Sequence, residues 1–187
     1  MINRVSRLKL SLGVTSLTIL ILAACQTVDF GDNVLFVVPG EGIDGVRLGD
    51  SRATVVERLG KPDLGGIADG FYRAWYSAEY TQGQHAGLSV YFVEVDNQPG
   101  PVDELIIQAP HSGKTSKSIG IASPLNAVRR AYGLPESTIG DAGNGTMVDM
   151  YCVGGKKLEI HYRDSLVTGM AIGYFLPMPQ DSMYPCK

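Results

Sequence analysis

The sequence predicts an α+β fold built from two tandem units, each a short helix followed by an antiparallel β-meander. An internal repeat is the first observation, because the segment 46–62 aligns without gaps on 119–135 at an offset of 73 residues. Each copy carries apolar residues at helical spacing and is followed by segments rich in aromatic and β-branched residues. A repeat of this length is typical of a duplicated subdomain, and we assign the units to residues 43–110 and 118–176.

The predicted helices have recognisable ends in both copies. Asp50 and Ser123 stand where an N-cap side chain would accept the free amide hydrogens of a first turn. Gly60 and Gly133 can take the left-handed conformation that ends a helix, and each precedes a proline by two positions. Each helix should be about ten residues long, which is too short to be stable alone. We therefore expect both helices to lie on a sheet.

Three strands are predicted after each helix. Short connections rich in turn residues separate them, which favours antiparallel meanders whose two sheets continue or face one another. The predicted strands are 71–80, 88–95 and 102–107 in the first unit, and 147–153, 157–162 and 167–175 in the second.

The N-terminus has the pattern of a targeting segment. Three basic residues precede a short apolar run over 10–22, and two alanines lead to Cys25. This pattern resembles the lipobox of bacterial lipoproteins, which implies cleavage of a signal peptide over 1–24 and lipidation of Cys25. Residues 25–42 would then be a lipidated tether with a short apolar segment at 34–38, either a first strand or a packing segment. The alternative is a transmembrane anchor with an incidental cysteine, which the short run disfavours.

The residue after the lipidation site indicates a location. Gln26 replaces the aspartate that favours retention at the inner membrane in enteric-type bacteria. The resemblance therefore implies a protein anchored by lipid to the outer membrane and facing the periplasm. The membrane is thus its first expected partner.

Charge and composition restrict the partners further. Cleavage removes three basic residues and changes the formal net charge from −3 to about −6. The mature chain has no dense run of lysine or arginine, so nucleic-acid binding is not expected. We expect no cofactor.

The cysteines and histidines suggest structural roles. With Cys25 assigned to lipid, Cys152 and Cys186 form an even pair in an oxidising compartment, and we expect a disulfide that pins the Pro-rich tail 177–187 to the sheet. The alternative is two inert buried thiols. His85, His111 and His161 are scattered in the sequence, which argues against a metal site.

These features together resemble the SmpA/OmlA (BamE-like) outer-membrane lipoprotein family and the tandem β-lactamase-inhibitor-protein-like (BLIP-like) fold. The first copy carries the resemblance through Asp50, Val55, Leu59, Gly60, Pro62, Trp75, Tyr76, Leu88, Val90 and Phe92, and the second through Ser123, Val128, Gly133 and Pro135. The second copy lacks the tryptophan and has Val148 to Tyr151 in its place.

Aromatic residues indicate a binding surface. Tyr72, Tyr76 and Tyr80 alternate along one predicted strand, with Phe71 and Trp75 on its opposite side. If the helix covers Phe71 and Trp75, the three tyrosines lie on the open sheet face, where they could bind a partner. The alternative is that the tyrosines pack against the second unit.

The expected function follows from surfaces, because the sequence contains no recognisable catalytic arrangement. Ser112, His111 and Asp103 are close in sequence, but sequence neighbours do not form a triad. We expect a non-enzymatic adaptor that binds an envelope protein and supports outer-membrane assembly or envelope integrity. The alternative is a periplasmic inhibitor or ligand-binding module that uses the tandem sheet face.

Overall fold

The computed structural model describes residues 36–69, 74–141 and 145–174, and this part of the chain is mostly β-sheet with two helices. The predicted combination of helices with antiparallel sheet is confirmed, and the sheet predominates. The predicted signal peptide, Cys25, Tyr72 and Cys186 lie outside the described residues. The elements are β1 (Phe36–Val38), β2 (Gly42–Ile43), β3 (Val46–Arg47), α1 (Arg52–Leu59), β4 (Leu64–Asp69), β5 (Ala74–Tyr80), β6 (Leu88–Val95), β7 (Gln98–Gln108), β8 (Lys114–Thr115), α2 (Leu125–Tyr132), β9 (Ser137–Asp141), β10 (Thr146–Val153), β11 (Lys156–Arg163) and β12 (Leu166–Gly173).

One antiparallel sheet of eight strands dominates the structure, in the order β4-β5-β6-β7-β12-β11-β10-β9. The two meanders therefore continue into each other through the pairing of β7 with β12, which places Ile107 opposite Met170. β4 and β9, the two edge strands of this sheet, are not among the strands predicted from the sequence. Both contain glycine and neither shows a clear alternation of apolar and polar residues, so the period that identifies a strand is weak there.

The N-cap of each helix lies one residue later than expected. The N-cap of α1 is Ser51, whose hydroxyl accepts a hydrogen bond from the amide of Thr54 at 3.2 Å. Asp50 instead accepts from the amide of Arg47 at 2.7 Å, outside the helix. Ser123 similarly accepts from an amide that precedes α2, and Pro124 holds the cap position. Neither expected cap accepts a helix amide, although Asp50 forms an ion pair at 2.6 Å with Arg58 in the last turn of α1.

Both helices end at the expected glycines. Gly60 and Gly133 have φ angles of 82° and 85°, which favour glycine, but their ψ angles of −173° and −162° are extended and differ from the expected left-handed helical conformation. Each helix is eight residues long and buries one valine completely, Val55 in α1 and Val128 in α2. Such short helices depend on this packing for stability.

The core lies between the large sheet and a layer made of both helices and a second, four-stranded sheet. That small sheet has the order β3-β2-β1-β8, with β1 parallel to β8. Its residues Val37, Ile43 and Val46 join the buried cluster formed by one face of the large sheet. We call this covered face the inner face and the opposite one the outer face. The apolar segment at 34–38 thus supplies the first described strand.

No helix among the described ranges is long and apolar enough to cross a membrane.

Candidate functional site

The outer face of the large sheet is the surface opposite both helices and the small sheet. Cross-strand register defines its rows, since residues paired directly across antiparallel strands share a face. One row contains Ser77, Tyr91, Glu104, Gly173, Lys157 and Cys152, and the next contains Glu79, Ser89, Ile106, Ala171, Glu159 and Met150. The outer face therefore mixes charged, aromatic and apolar side chains across the centre of the sheet.

A charged network crosses the outer face from β7 to β11. The ammonium of Lys157 lies 2.9 Å from Glu104 and 3.1 Å from Glu159, and Glu159 is 3.3 Å from the ring of His161. Lys157 and both glutamates are half-buried, so solvent screens these pairs less than it screens pairs on an open surface. The network holds these side chains in fixed positions on the outer face.

The network shifts the pKa of Lys157 and that of Glu159. Burial lowers the pKa of Lys157, but the charges and hydrogen bonds of Glu104 and Glu159 outweigh it, and the pKa lies above its ordinary value. Burial raises the pKa of Glu159, but the hydrogen bond with His161 and the charge of Lys157 bring it below its ordinary value. Lys157 stays protonated at neutral pH, so it suits recognition and not proton abstraction.

Tyr91 is the aromatic residue that the described part of the chain places at the centre of the outer face. It is half-buried and lies between Ser77 and Glu104 in the register. Burial raises its pKa, and the charges of Glu79 and Glu104 add to the effect. A neutral tyrosine beside carboxylates offers apolar area and a hydrogen-bonding tip, which is favourable at protein interfaces.

The expectation that Tyr80 lies on an open face is wrong. Its side chain is 4% exposed on the inner face, and its hydroxyl donates to the carbonyl of Gly60 at 3.0 Å. Tyr76 shares that face, packs partly buried against the core and donates to the carbonyl of Asn97 at 2.6 Å. The alternation along β5 is as predicted, but the helix covers the tyrosine side. Sequence alternation defines two faces without indicating which one the helix covers.

Cys152 ends the first row of the outer face and is disulfide-bonded. The expected partner, Cys186, lies outside the described residues, so their pairing stays a prediction. A disulfide at this position links the outer face covalently to another segment of the chain.

A buried polar cluster fixes α2 to the inner face. Arg129 donates twice to the carboxylate of Asp149, both at 3.0 Å, and Thr138 donates to it at 2.7 Å. Burial raises the pKa of Asp149, but the bonds from Arg129 and Thr138 outweigh it, and the pKa lies below its ordinary value. Burial and the Asp149 charge raise the pKa of Tyr151 to about 12. This carboxylate has its hydrogen bonds satisfied, which is the pattern of a structural ion pair.

The structure also brings together two histidines that the sequence leaves scattered. His85 Nδ1 and His111 Nε2 lie 2.8 Å and 3.0 Å from the same Asp44 oxygen. The other ring nitrogen of His111 accepts the amide hydrogen of Gly113 at 3.1 Å, so its proton belongs on Nε2 and is donated to Asp44. Gln84 contacts the other nitrogen of His85 at 3.0 Å.

This cluster is a hydrogen-bonded clamp between the small sheet and the loops of the large sheet. His111 cannot offer Nε2 to a metal while that nitrogen carries the proton, and the described residues contain no group of three or more potential ligands arranged around a metal. His111 is bonded to Asp44 and not to Asp103, so the structure does not assemble a triad from Ser112, His111 and Asp103. Asp44 is 41 and 67 residues from the two histidines, and no spacing rule relates them.

Comparisons with known proteins give similarity of fold and nothing more specific. No protein-family model matches the chain, and no curated protein matches it. An extracellular protein containing a SCP domain from Bacillus anthracis is similar, with a TM-score of 0.50 and 13% identity. The match covers 68% of this chain and 44% of that protein. Less similar are a DUF4309 family protein from Bacillus subtilis (TM-score 0.47, 11% identity, 73% of this chain and 88% of that one) and a putative beta-lactamase inhibitor protein from Streptococcus mutans (TM-score 0.27, 11% identity, 75% and 90%). At these identities the first likeness concerns the fold alone, and the other two carry no argument about function.

Proposed function

We propose that this protein is a non-enzymatic lipoprotein of the cell envelope that binds a protein partner through the outer face of its large sheet. The observation that carries the proposal is the half-buried network around Lys157 together with Tyr91, on a face that neither helix covers. Fixed charges beside an aromatic residue are the composition that gives an interface its register. The partner would be an envelope protein, in outer-membrane assembly or envelope integrity.

The proposed anchor is the lipid on Cys25, at the periplasmic side of the outer membrane. The tether from Cys25 to β1 is eleven residues long, so it keeps the folded domain within roughly 40 Å of the bilayer. A Cys25→Ser variant tests the anchor. If the cleaved variant remains in the membrane fraction after washing at high salt, the lipid assignment is wrong.

Photocrosslinking in intact cells tests the binding face. A photoreactive phenylalanine analogue replaces Ile106, at the centre of the outer face, and Val56, an exposed apolar residue of α1, serves as the matched control. We expect the Ile106 position to capture one envelope protein reproducibly, as identified by mass spectrometry, and the Val56 position not to capture it. Equal capture from both positions would refute the outer face as the binding surface.

A second candidate function is inhibition of a secreted enzyme. Its support is the strand order: α1 precedes the antiparallel strands β4–β7, α2 precedes β9–β12, and the two sets are joined edge to edge in one sheet. We propose the same outer face as the inhibitory surface. Titration of the purified domain against secreted hydrolases of the host bacterium tests this candidate, because an inhibitor reduces the activity of one of them at stoichiometric concentration.

A further inference from the structure

Several small or apolar residues of the outer face are more buried than the described elements explain. Ala171 is 1% exposed, Met150 6% and Ser77 8%. All three point away from the helices and the small sheet, since their register places them on the opposite face from the core residues Leu105 and Ile172. Within the described ranges no helix or strand packs over this face.

The covalent chemistry of the same face indicates what covers it. Cys152 is disulfide-bonded, and the only other cysteines of the chain are Cys25 and Cys186. Cys152 shares a cross-strand row with Lys157 and Gly173. The described chain leaves β12 at Gly173, two strand spacings from Cys152, which corresponds to about 10 Å.

The length of the remaining chain exceeds this distance. Cys186 comes twelve positions after Tyr174, and an extended chain of that length reaches roughly 40 Å. The chain after β12 is therefore longer than a direct link to Cys152 requires. The apolar residues of the segment, Phe175, Leu176, Met178, Met183 and Tyr184, suit the apolar part of the outer face around Ile106 and Ala171.

We propose that the outer face is the docking surface for the chain's own segment 175–187, which is held there by a disulfide between Cys186 and Cys152. The three prolines of this segment have no amide hydrogen to satisfy, so the segment can lie over a sheet face without forming a new strand. The segment covers the surface that the partner uses and competes with the partner. This competition rests on the proposed function, whereas the intramolecular contact does not.

Crosslinking of the purified protein tests the intramolecular contact without any partner. The full mature chain is extracted in detergent without reductant, with the photoreactive residue at Ile106 or, as control, at Val56. We expect irradiation at Ile106 to yield a product that joins its peptide to one from 175–187, and irradiation at Val56 to yield none. Absence of this product from Ile106, or equal amounts from both positions, overturns the proposal. Digestion without reduction must also yield a peptide pair containing Cys152 and Cys186, and a different pairing overturns it.

Two variants test the disulfide and the competition. In Cys186→Ser we expect the Ile106 product to fall about tenfold, because one of the two attachments that concentrate the segment over the face is lost. Cys152→Ser should reduce the Ile106 product to the same extent. Circular dichroism is the control that checks whether both variants fold. In intact cells the same variants should capture more of the partner from Ile106 than the parent does. If the variants lose the intramolecular product but capture the same amount of partner as the parent, the segment does not compete with the partner. If no variant captures a partner, the proposed function is refuted, and the intramolecular contact is judged from the purified protein alone.

Discussion

Replacement of Asp149 by asparagine should destabilise the protein by about 2–3 kcal/mol at pH 7. Asparagine keeps the shape of the side chain but removes its charge and places an amide donor against the guanidinium of Arg129. Breaking one partner of a fully buried ion pair costs about 3–5 kcal/mol. The side chain of Arg129 is 35% exposed, so it can regain water when its partner is lost, and this brings the expected cost below that range.

Urea unfolding followed by circular dichroism measures this difference. Asp96→Asn is the matched control, because Asp96 is exposed and its φ of 52° is one that asparagine tolerates. We expect the control to stay within about 0.5 kcal/mol of the parent protein. The mechanism is refuted if Asp149→Asn also remains within that margin.

The pH dependence provides a second measurement of the same interaction. The folded pKa of Asp149 lies below its unfolded value, so the stabilisation is complete above the unfolded pKa of about 3.9 and is lost as the pH falls through the folded pKa. The difference between the parent and Asp149→Asn should therefore stay constant from pH 7 to pH 5 and decrease only below about pH 4. A difference that does not change at acid pH would contradict the role of the charge.

Three further substitutions test other contacts by the same unfolding measurement. Tyr80→Phe removes the hydrogen bond to the carbonyl of Gly60 and should cost about 0.5–1.5 kcal/mol, and an unchanged midpoint would mean that the bond contributes nothing. Lys157→Met leaves two half-buried carboxylates without their shared cation and should cost about 1–2 kcal/mol at pH 7. Because Lys157 lowers the pKa of Glu159, this cost should decrease below about pH 4. A cost that persists below that pH would contradict the role of the charge. His111→Ala removes a buried ring and one donor to Asp44 and should cost about 2–4 kcal/mol, so a loss below 1 kcal/mol would show that the clamp is dispensable.

Local patterns predicted both helices and six of the eight strands of the large sheet. The positive-φ glycines at 60 and 133 and the apolar spacing of each helix belong to short stretches of chain, where the residue types decide the conformation directly. The cap of α1 lies one residue later than predicted because serine and aspartate are both good caps, and Ser51 accepts the amide of Thr54 while Asp50 accepts that of Arg47. In α2 the cap position is held by Pro124, which has no side-chain acceptor. Register across β7 and β12 depends on which strands meet, and no local pattern contains that information.

The candidate site was harder to predict for the same reason. The outer-face network joins Glu104 to Lys157 across the meeting of the two halves, 53 residues apart in the chain. Its residue types are ordinary for a solvated strand, so composition gave no reason to select them. Tyr80 was assigned to the correct strand and the wrong face, because alternation is symmetric and only the position of α1 distinguishes the two sides.

The pairing of β7 with β12 has a consequence for how copies of this chain meet during folding. Met170 lies opposite Ile107 although it comes 63 positions later, so this contact closes a long loop, whereas each hairpin forms from neighbouring residues. Until β12 arrives, β7 is an edge with unpaired backbone groups, and such edges accept strands from any source. The later half of one molecule can therefore complete the earlier half of another, and concentrated refolding should yield exchanged dimers that share the native register.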